Sequence, residues 1–107
     1  MRRVSMKPQE RSLRSRAAQL VHFRHVLRGT LAVRSRQCGK AGCRCTHGQP
    51  HVSLYLVQRR GGKIRQLYIP SRWEERVRQA VADYQELQKV VEELSEMEWK
   101  DIEERKE

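Results

Sequence analysis

The sequence predicts an α+β fold: an N-terminal helix, then a small three-stranded antiparallel sheet, then a long C-terminal helix. Apolar residues recur at helical spacing near both ends of the chain, whereas the middle shows the alternation typical of strands. All three cysteines fall within eight consecutive residues of that middle region. The chain has 107 residues, of which 37% are hydrophobic and six are aromatic. We therefore expect one domain with a modest core.

Residues 1–9 are predicted to form a disordered basic arm, because they contain Pro8 and lack apolar periodicity. A helix is predicted from about residue 10 to residue 28, and Gly29 is expected to cap its C-terminal end. The apolar side of this helix carries Leu13, Ala17, Leu20, Val21 and Leu27, and its polar side carries Arg11, Arg14, Arg16 and Arg24.

Strands are predicted over residues 30–36, 52–58 and 64–69, where apolar and polar residues alternate. Between the last two strands, Gly61 and Gly62 supply the backbone conformations that a tight hairpin turn demands. Arg59, Arg60 and Lys63 flank these glycines. Three cationic side chains are therefore expected at one hairpin tip.

Pro70 ends the predicted sheet, and a long helix is expected to begin at Ser71, which forms a capping box with Glu74. Its apolar residues fall at alternating four- and three-residue steps: Trp73, Val77, Ala80, Tyr84, Leu87, Val91 and Leu94. This heptad seam is expected to pack inside the domain, ahead of a homodimeric coiled coil through residues 72–94. If the domain is a dimer formed through this helix, the seam packs inside the domain and also contacts the second copy. Residues 95–107 are predicted to be a charged helical tail, which leaves residues 10–94 as a single domain.

The cysteines belong to a C-x4-C-x-C-x5-H pattern that consists of Cys38, Cys43, Cys45 and His51. Three thiolates and one imidazole make the closed tetrahedral shell of structural zinc sites, so these four residues are the predicted ligands of one Zn²⁺ ion. The surrounding arginines and lysines favour the ionised thiolates that a metal needs. The sheet is therefore expected to carry a zinc loop that stabilises residues 10–94.

Other uses of the three thiols stay open. They could be free cysteines, or two of them could form a disulfide, although the odd count and the lack of a recognisable signal peptide argue against a disulfide framework. An iron–sulfur cluster usually needs four cysteines. A thiol redox sensor would lose its metal reversibly on oxidation. His47 competes with His51 for the fourth position, but its spacing from Cys45 leaves a very tight chelate.

The same region carries a family resemblance. Its motifs are Cys38-Gly39-Lys40, Cys43-x-Cys45, His51, Tyr55, Gly61-Gly62-Lys63, Tyr68-Ile69-Pro70 and the following long helix. Over roughly residues 27–94 the chain resembles a family of short uncharacterised prokaryotic proteins, a domain of unknown function associated with mobile elements. In that family Gly-Pro-Tyr tends to follow the histidine, whereas this chain has Val52-Ser53-Leu54. The resemblance implies a zinc site and no known activity.

The charge of the chain is unevenly distributed. Residues 1–70 hold sixteen lysines and arginines and one acid. Residues 71–107 hold seven lysines and arginines and twelve acids. Such an excess is an electrostatic footprint for polyanions and predicts a nucleic-acid-binding protein rather than merely a solvated basic surface. The expected nucleic-acid contacts are Arg11, Arg14, Arg34, Arg36, Lys40, Arg44, Arg59, Arg60, Lys63 and Arg65.

The contacts are expected to reach phosphates rather than bases, because no helix carries the side-chain set of major-groove readout. Tyr55 is the one aromatic residue counted near the basic strands, too few for a single-strand stacking platform. Double-stranded DNA is therefore expected first, ahead of RNA.

Catalysis is not expected, because the basic half offers one carboxylate, Glu10, where a two-metal nuclease needs several. The alternative function is a zinc-stabilised adaptor that docks a protein partner through its long C-terminal helix. No run of 18 apolar residues is present, so no membrane span is predicted, and the expected location is the cytoplasm.

Overall fold

The computed structural model describes residues 7–36 and 51–105. Its elements, in chain order, are helix α1 (Pro8–Phe23), strands β1 (Thr30–Arg36), β2 (His51–Arg60) and β3 (Lys63–Ile69), a 3₁₀ turn (Ser71–Trp73) and helix α2 (Glu74–Glu103). This order confirms the predicted α+β fold. The predicted zinc loop lies outside the described residues, except for the backbone of His51.

The three strands form one antiparallel sheet with β2 in the centre. Leu54 on β2 is paired with Val33 on β1 and with Ile69 on β3, so these three residues share one face of the sheet. The next row, Ala32, Tyr55 and Tyr68, belongs to the opposite face. Leu54 and Ile69 are buried, whereas Tyr68 is 52% exposed. The buried part of the sheet therefore lies around Leu54 and Ile69 on the first face, whereas Val33 on that face is 60% exposed.

The hairpin between β2 and β3 has a two-residue turn, as the sequence predicted. Gly61 has φ of 58° and Gly62 has φ of 80°. Positive φ at both central residues is typical of a type I′ turn, which matches the right-handed twist of the flanking strands. The turn fixes Arg60 opposite Lys63.

The chain divides into two compact units. We call residues 1–27 and 82–107 the helical unit, and residues 28–81 the sheet unit. Among the described residues of the helical unit, Leu20, Asp83 and Val90 are buried. Among those of the sheet unit, the buried residues are Leu54, Ile69, Val77, Ala80 and Val81.

Helix α1 begins earlier and ends earlier than the sequence predicted. Pro8 occupies its first turn, where the missing N–H costs no hydrogen bond. The helix ends at Phe23, since Arg24 is extended while its N–H still bonds to the carbonyl oxygen of Leu20. The prediction that Gly29 caps this helix was wrong. Gly29 instead lies against Leu56, where an added Cβ would approach Leu56 Cδ1 to 2.6 Å.

The predicted capping box at the start of α2 does not form. Ser71 lies in the 3₁₀ turn, and α2 begins only at Glu74. The turn itself follows Pro70, whose carbonyl oxygen accepts a hydrogen bond from the N–H of Trp73 at 2.9 Å. Side-chain capping is therefore replaced by a backbone turn.

The predicted seam of α2 corresponds to two shorter stripes. In the sheet unit the buried positions are Val77, Ala80 and Val81. In the helical unit the covered positions of α2 include Leu87, Val90, Leu94 and Met97, of which Val90 is buried and the others are half-buried. Val91, which the seam predicted to be covered, is 52% exposed. The seam prediction was thus right at Val77, Ala80, Leu87 and Leu94 and wrong at Val91 and at Trp73, which is 41% exposed. In the described part of the chain, neither helix has an apolar stretch long enough to cross a membrane.

Candidate nucleic-acid interface

The predicted nucleic-acid contacts divide between the two units. Arg34, Arg59, Arg60, Lys63 and Arg65 are exposed on the strands of the sheet unit. Arg11 and Arg14 are exposed on α1 in the helical unit. Lys40 and Arg44 lie outside the described residues, and Arg36 is described only as the last backbone position of β1.

The net charge of the chain belongs to the sheet unit. Residues 28–81 hold twelve lysines and arginines and two acids, whereas the rest of the chain holds eleven of each. The two acids, Glu74 and Glu75, both lie in the first turn of α2. None of the residues of β1, β2 and β3 is acidic. The sheet therefore presents cations with no carboxylate among them.

In the described part of the helical unit, several cations form ion pairs with carboxylates. Arg16 on α1 makes a bidentate pair with Glu86 on α2: its Nε donates to Oε2 at 2.6 Å and its Nη2 donates to Oε1 at 2.8 Å. These hydrogen bonds lower the pKa of Glu86 from its ordinary value of 4.5 and raise the pKa of Arg16. The pair therefore contributes stability above pH 4.5 and loses it as the pH falls through the lowered pKa of Glu86. Because both side chains are exposed, solvent screens this contribution.

A second pair includes a buried carboxylate. Arg24 Nε donates to Asp83 Oδ2 at 3.1 Å, and the side chain of Asp83 is only 6% exposed. A buried carboxylate without a cation or a donor would be costly. Arg24 is therefore a structural residue of the helical unit.

Two weaker pairs complete this pattern. Arg14 Nε lies 2.9 Å from Glu10 Oε2, one turn away on α1, and Lys7 Nζ lies 3.9 Å from Asp101 Oδ1 on α2. Lys7 precedes α1 and Asp101 lies near the end of α2, while the pairs of Arg16 and Arg24 lie progressively earlier on α2. The two helices of this unit are therefore antiparallel. Because Arg14 already pairs with the Glu10 carboxylate, a phosphate would have to compete with that carboxylate for its guanidinium.

At the hairpin end of the sheet, hydrogen bonds through Gln58 organise several cations. Gln58 Nε2 donates to the carbonyl oxygen of Arg28 at 2.7 Å, and Gln58 Oε1 accepts from Arg65 Nε at 2.8 Å. Arg28 Nη2 donates to the carbonyl oxygen of Arg59 at 3.1 Å. These bonds hold Arg28 and Arg65 beside the hairpin that carries Arg59, Arg60 and Lys63. Five cations thus gather at one end of the sheet; we call them the hairpin cluster.

The open face of the sheet carries an aromatic row. Tyr55 and Tyr68 are directly paired across β2 and β3, with ring centroids 5.8 Å apart and ring planes at 68°. The guanidinium carbon of Arg34 on β1 lies 4.7 Å from the centroid of the Tyr55 ring. We call these three residues the tyrosine row. Its geometry combines a cation with two aromatic rings on a surface free of acids.

Tyr68 and Arg28 were not among the residues that the sequence indicated for nucleic-acid binding. Only Tyr55 was counted near the basic strands, yet the register places Tyr68 directly opposite it on the same face. The expectation of a duplex rested in part on a single aromatic residue, and the sheet places two aromatic residues there. Counting alternate positions outward from the Gly61–Gly62 turn would have paired the two tyrosines, since a two-residue turn fixes the register of a hairpin.

The predicted zinc ligands are placed only in part. Cys38, Cys43 and Cys45, like the competing His47, lie outside the described residues. The chain leaves the sheet at Arg36 and re-enters it at His51, and these two residues are cross-strand partners. Within residues 7–36 and 51–105, no three His, Cys, Asp or Glu side chains are grouped so as to hold a metal ion.

Residues 6–79 of the chain match the family model of a domain of unknown function, DUF6788. The match covers α1, the sheet and the first turns of α2. The chain therefore belongs to this family. No curated protein and no solved structure matches it.

Proposed function

We propose that this protein binds nucleic acid, with DNA ahead of RNA, mainly through phosphate contacts of the sheet unit. The observation that carries the proposal is the charge division: residues 28–81 contain the whole net charge of +10, and the helical unit is balanced. A polyanion neutralised by lysines and arginines releases its counterions, which drives sequence-independent binding. The hairpin cluster and Arg34 are the proposed contacts among the described residues.

The ion pairs of the helical unit refine the set of contacts expected from sequence. Arg14, Arg16 and Arg24 each lie within hydrogen-bonding distance of a carboxylate. A phosphate would have to compete with these carboxylates. The strand cations face no such competition from their own sheet, because β1, β2 and β3 contain no acid. Phosphate binding is therefore assigned to the sheet rather than to α1.

Salt dependence tests this proposal. Binding of the protein to a fluorescent 30-base-pair duplex, and to one strand of that duplex, is measured by anisotropy between 50 and 200 mM salt. If about six phosphates are neutralised, the affinity for the duplex falls roughly a thousandfold over this range. The double substitution Arg59→Ala with Arg60→Ala is expected to flatten the logarithmic salt slope by about two.

The matched control removes two cations from the helical unit instead. Lys7→Ala with Arg14→Ala changes the net charge equally, but both residues have carboxylate partners. We expect the salt slope of this variant to stay near that of the native protein. An equal flattening by both variants would mean that overall charge, not the sheet, drives binding. Binding that ignores salt would contradict the proposal altogether.

We further propose that the β1–β2 connection binds one Zn²⁺ ion through Cys38, Cys43, Cys45 and His51. The support is the donor set together with the register: Arg36 and His51 are cross-strand partners, so the sheet holds the two ends of this 14-residue connection side by side. A bound zinc ion would close the connection and contribute to folding, as structural zinc does. Thiolate ligands are compatible with the reducing cytoplasm, where we place the protein.

Metal content and thermal unfolding test the zinc site. Protein purified without chelator under reducing conditions should carry about one zinc ion per chain, and Cys43→Ser should lose it together with cooperative unfolding. His51→Ala should reduce zinc content more than His47→Ala. Equal effects of the two histidine substitutions would contradict the ligand assignment, and absence of zinc from the native protein would contradict the site.

The role we assign is that of a binding protein, not an enzyme, acting as an accessory or regulatory factor of a mobile element. The sheet unit has only Glu74 and Glu75 as acids, which lie side by side in one helical turn. A two-metal nuclease needs several carboxylates that converge from different elements. The mobile-element role rests on the family resemblance of the cysteine motif. Co-purification of the protein with element DNA after crosslinking in cells would test it.

One observation favours the adaptor alternative. Three large apolar residues of α2, namely Val91, Trp99 and Ile102, are more than half exposed. Their spacing places them on one side of a helix, which suits a helical partner or a second copy of the chain. Sedimentation of the native protein and of Trp99→Ala distinguishes the two functions: an adaptor or dimer loses its association, whereas nucleic-acid affinity stays unchanged if the sheet alone binds.

A further inference from the structure

The tyrosine row is the feature of the sheet that phosphate binding does not explain. We propose that Tyr55, Tyr68 and Arg34 form a stacking platform for the unpaired bases of single-stranded nucleic acid. This inference rests on the proposed function, and it adds the structural form of the ligand. Aromatic rings on a basic, acid-free sheet face are the usual elements of single-strand recognition.

The exposure of the row makes it accessible to a ligand. Tyr68 is 52% exposed and Tyr55 is half-buried, whereas Leu54 and Ile69, one position along the same strands, are buried on the other face. The core therefore uses one face of the sheet and leaves the tyrosines outside it. Burial in the hydrophobic core does not account for two aromatic rings placed in register at these positions.

The geometry favours unstacked bases over a duplex. The Tyr55 and Tyr68 centroids are 5.8 Å apart, well beyond the rise of about 3.4 Å per base in a duplex strand. Because the ring planes meet at 68°, one flat base cannot stack on both rings. Each ring would take its own base, and the two bases would be splayed apart. Only a single strand allows this without breaking base pairs.

Arg34 adds a cation to the same surface. Its guanidinium lies over one face of the Tyr55 ring at 4.7 Å, a cation–π distance. A planar guanidinium can itself stack on a base while it donates to a phosphate. The small side chain of Ala32, directly opposite Tyr55 on β1, leaves room for this arrangement. Arg59, two alternate positions beyond Tyr55 on β2, lies on the same face by the register, so the backbone of a strand whose bases stack here would meet a further cation.

The test compares three fluorescent 15-mers by anisotropy at constant salt: oligo-dT, oligo-rU and an abasic strand that keeps the phosphates. Tyr68→Ala is expected to weaken binding to oligo-dT or oligo-rU by roughly 5- to 150-fold, the loss of one stacked base. Tyr68→Phe keeps the ring and should keep the native affinity within about threefold. Binding of Tyr68→Ala to the abasic strand should equal that of the native protein.

Phe23→Ala is the matched control, because Phe23 is an aromatic residue of the helical unit that is 75% exposed. It should leave all three affinities unchanged. Circular dichroism of each variant, with a urea midpoint, confirms that the fold is retained.

Three other results of these binding measurements would overturn the stacking platform, the proposed function or both. An equal loss of affinity for the abasic strand would overturn the platform and assign Tyr68 a structural role. Unchanged affinity of Tyr68→Ala for oligo-dT and oligo-rU, with salt-dependent binding retained, would overturn the platform but leave the proposed function standing. Failure of the native protein to bind any strand or duplex would overturn both proposals and leave the tyrosine row as a surface for a protein partner.

Discussion

Asp83 provides the sharpest test of the charge division. It is the one buried charged residue found within residues 7–36 and 51–105, and Arg24 donates a hydrogen bond to it within the helical unit. Replacing Asp83 by alanine removes the carboxylate and leaves the Arg24 guanidinium without this acceptor. Asp101→Ala is the matched control, because Asp101 also pairs with a cation on the same helix but is 56% exposed at a distance of 3.9 Å.

The burial of the two carboxylates sets the expected magnitudes. A hydrogen bond to a charged group in a buried site contributes about 1.5–3 kcal/mol, so Asp83→Ala should lower the free energy of unfolding by about 2 kcal/mol. With a urea m-value of about 1.5 kcal/mol/M for a chain of this size, the unfolding midpoint falls by about 1.3 M. Asp101→Ala should change stability by less than about 0.5 kcal/mol, as exposed pairs do.

The assay is urea unfolding followed by circular dichroism, in buffer of one fixed zinc concentration. Asp83→Ala should also keep the native salt slope of nucleic-acid binding, because its effect is confined to the helical unit. Equal destabilisation by the two alanine substitutions would show that burial does not decide the strength of these pairs. A changed salt slope in a folded Asp83→Ala protein would refute the division of roles between the units.

Two further predictions concern the fold. Gly61→Ala should cost about 1 kcal/mol of stability in urea unfolding, because Gly61 has φ of +58° and a Cβ is strained there; a neutral effect would contradict the type I′ turn. Leu87→Glu should destabilise the protein by about 2 kcal/mol, because Leu87 is half-buried in the helical unit, whereas Val91→Glu should be tolerated. A shift of Val91→Glu from dimer to monomer in sedimentation would instead show an intermolecular seam.

The order and type of the elements could be predicted because they depend on local periodicity. Helical spacing, strand alternation and the Gly61–Gly62 pair each reflect neighbours within a few residues. The ends of the helices could not be predicted from local periodicity. Whether Ser71 or Glu74 begins α2 depends on the backbone turn after Pro70, and whether Gly29 ends α1 depends on its approach to Leu56 across the sheet.

From the sequence, the candidate interface could be predicted only as a set of lysines and arginines, without their partners or positions in the fold. The sequence places Arg14, Arg16, Arg59 and Arg60 in the same basic half of the chain, with nothing local to separate them. Arg16 pairs with Glu86, 70 residues away, so its neutralisation depends on the antiparallel packing of α1 and α2. The strand arginines have no acidic neighbour within the sheet, because β1, β2 and β3 contain no acid.

By itself, the sequence determined the α+β order, the excess of positive charge and the C-x4-C-x-C-x5-H pattern, since each is a property of composition or short spacing. The tertiary structure decided which cations are paired and which residues share a face. It brought Arg34, Tyr55 and Tyr68 together from three strands. It also placed the buried stripe of the helical unit on Val90 rather than Val91. The physical reason is the same in both cases: burial and charge pairing are set by contacts between elements, and these contacts join residues that are distant in the chain.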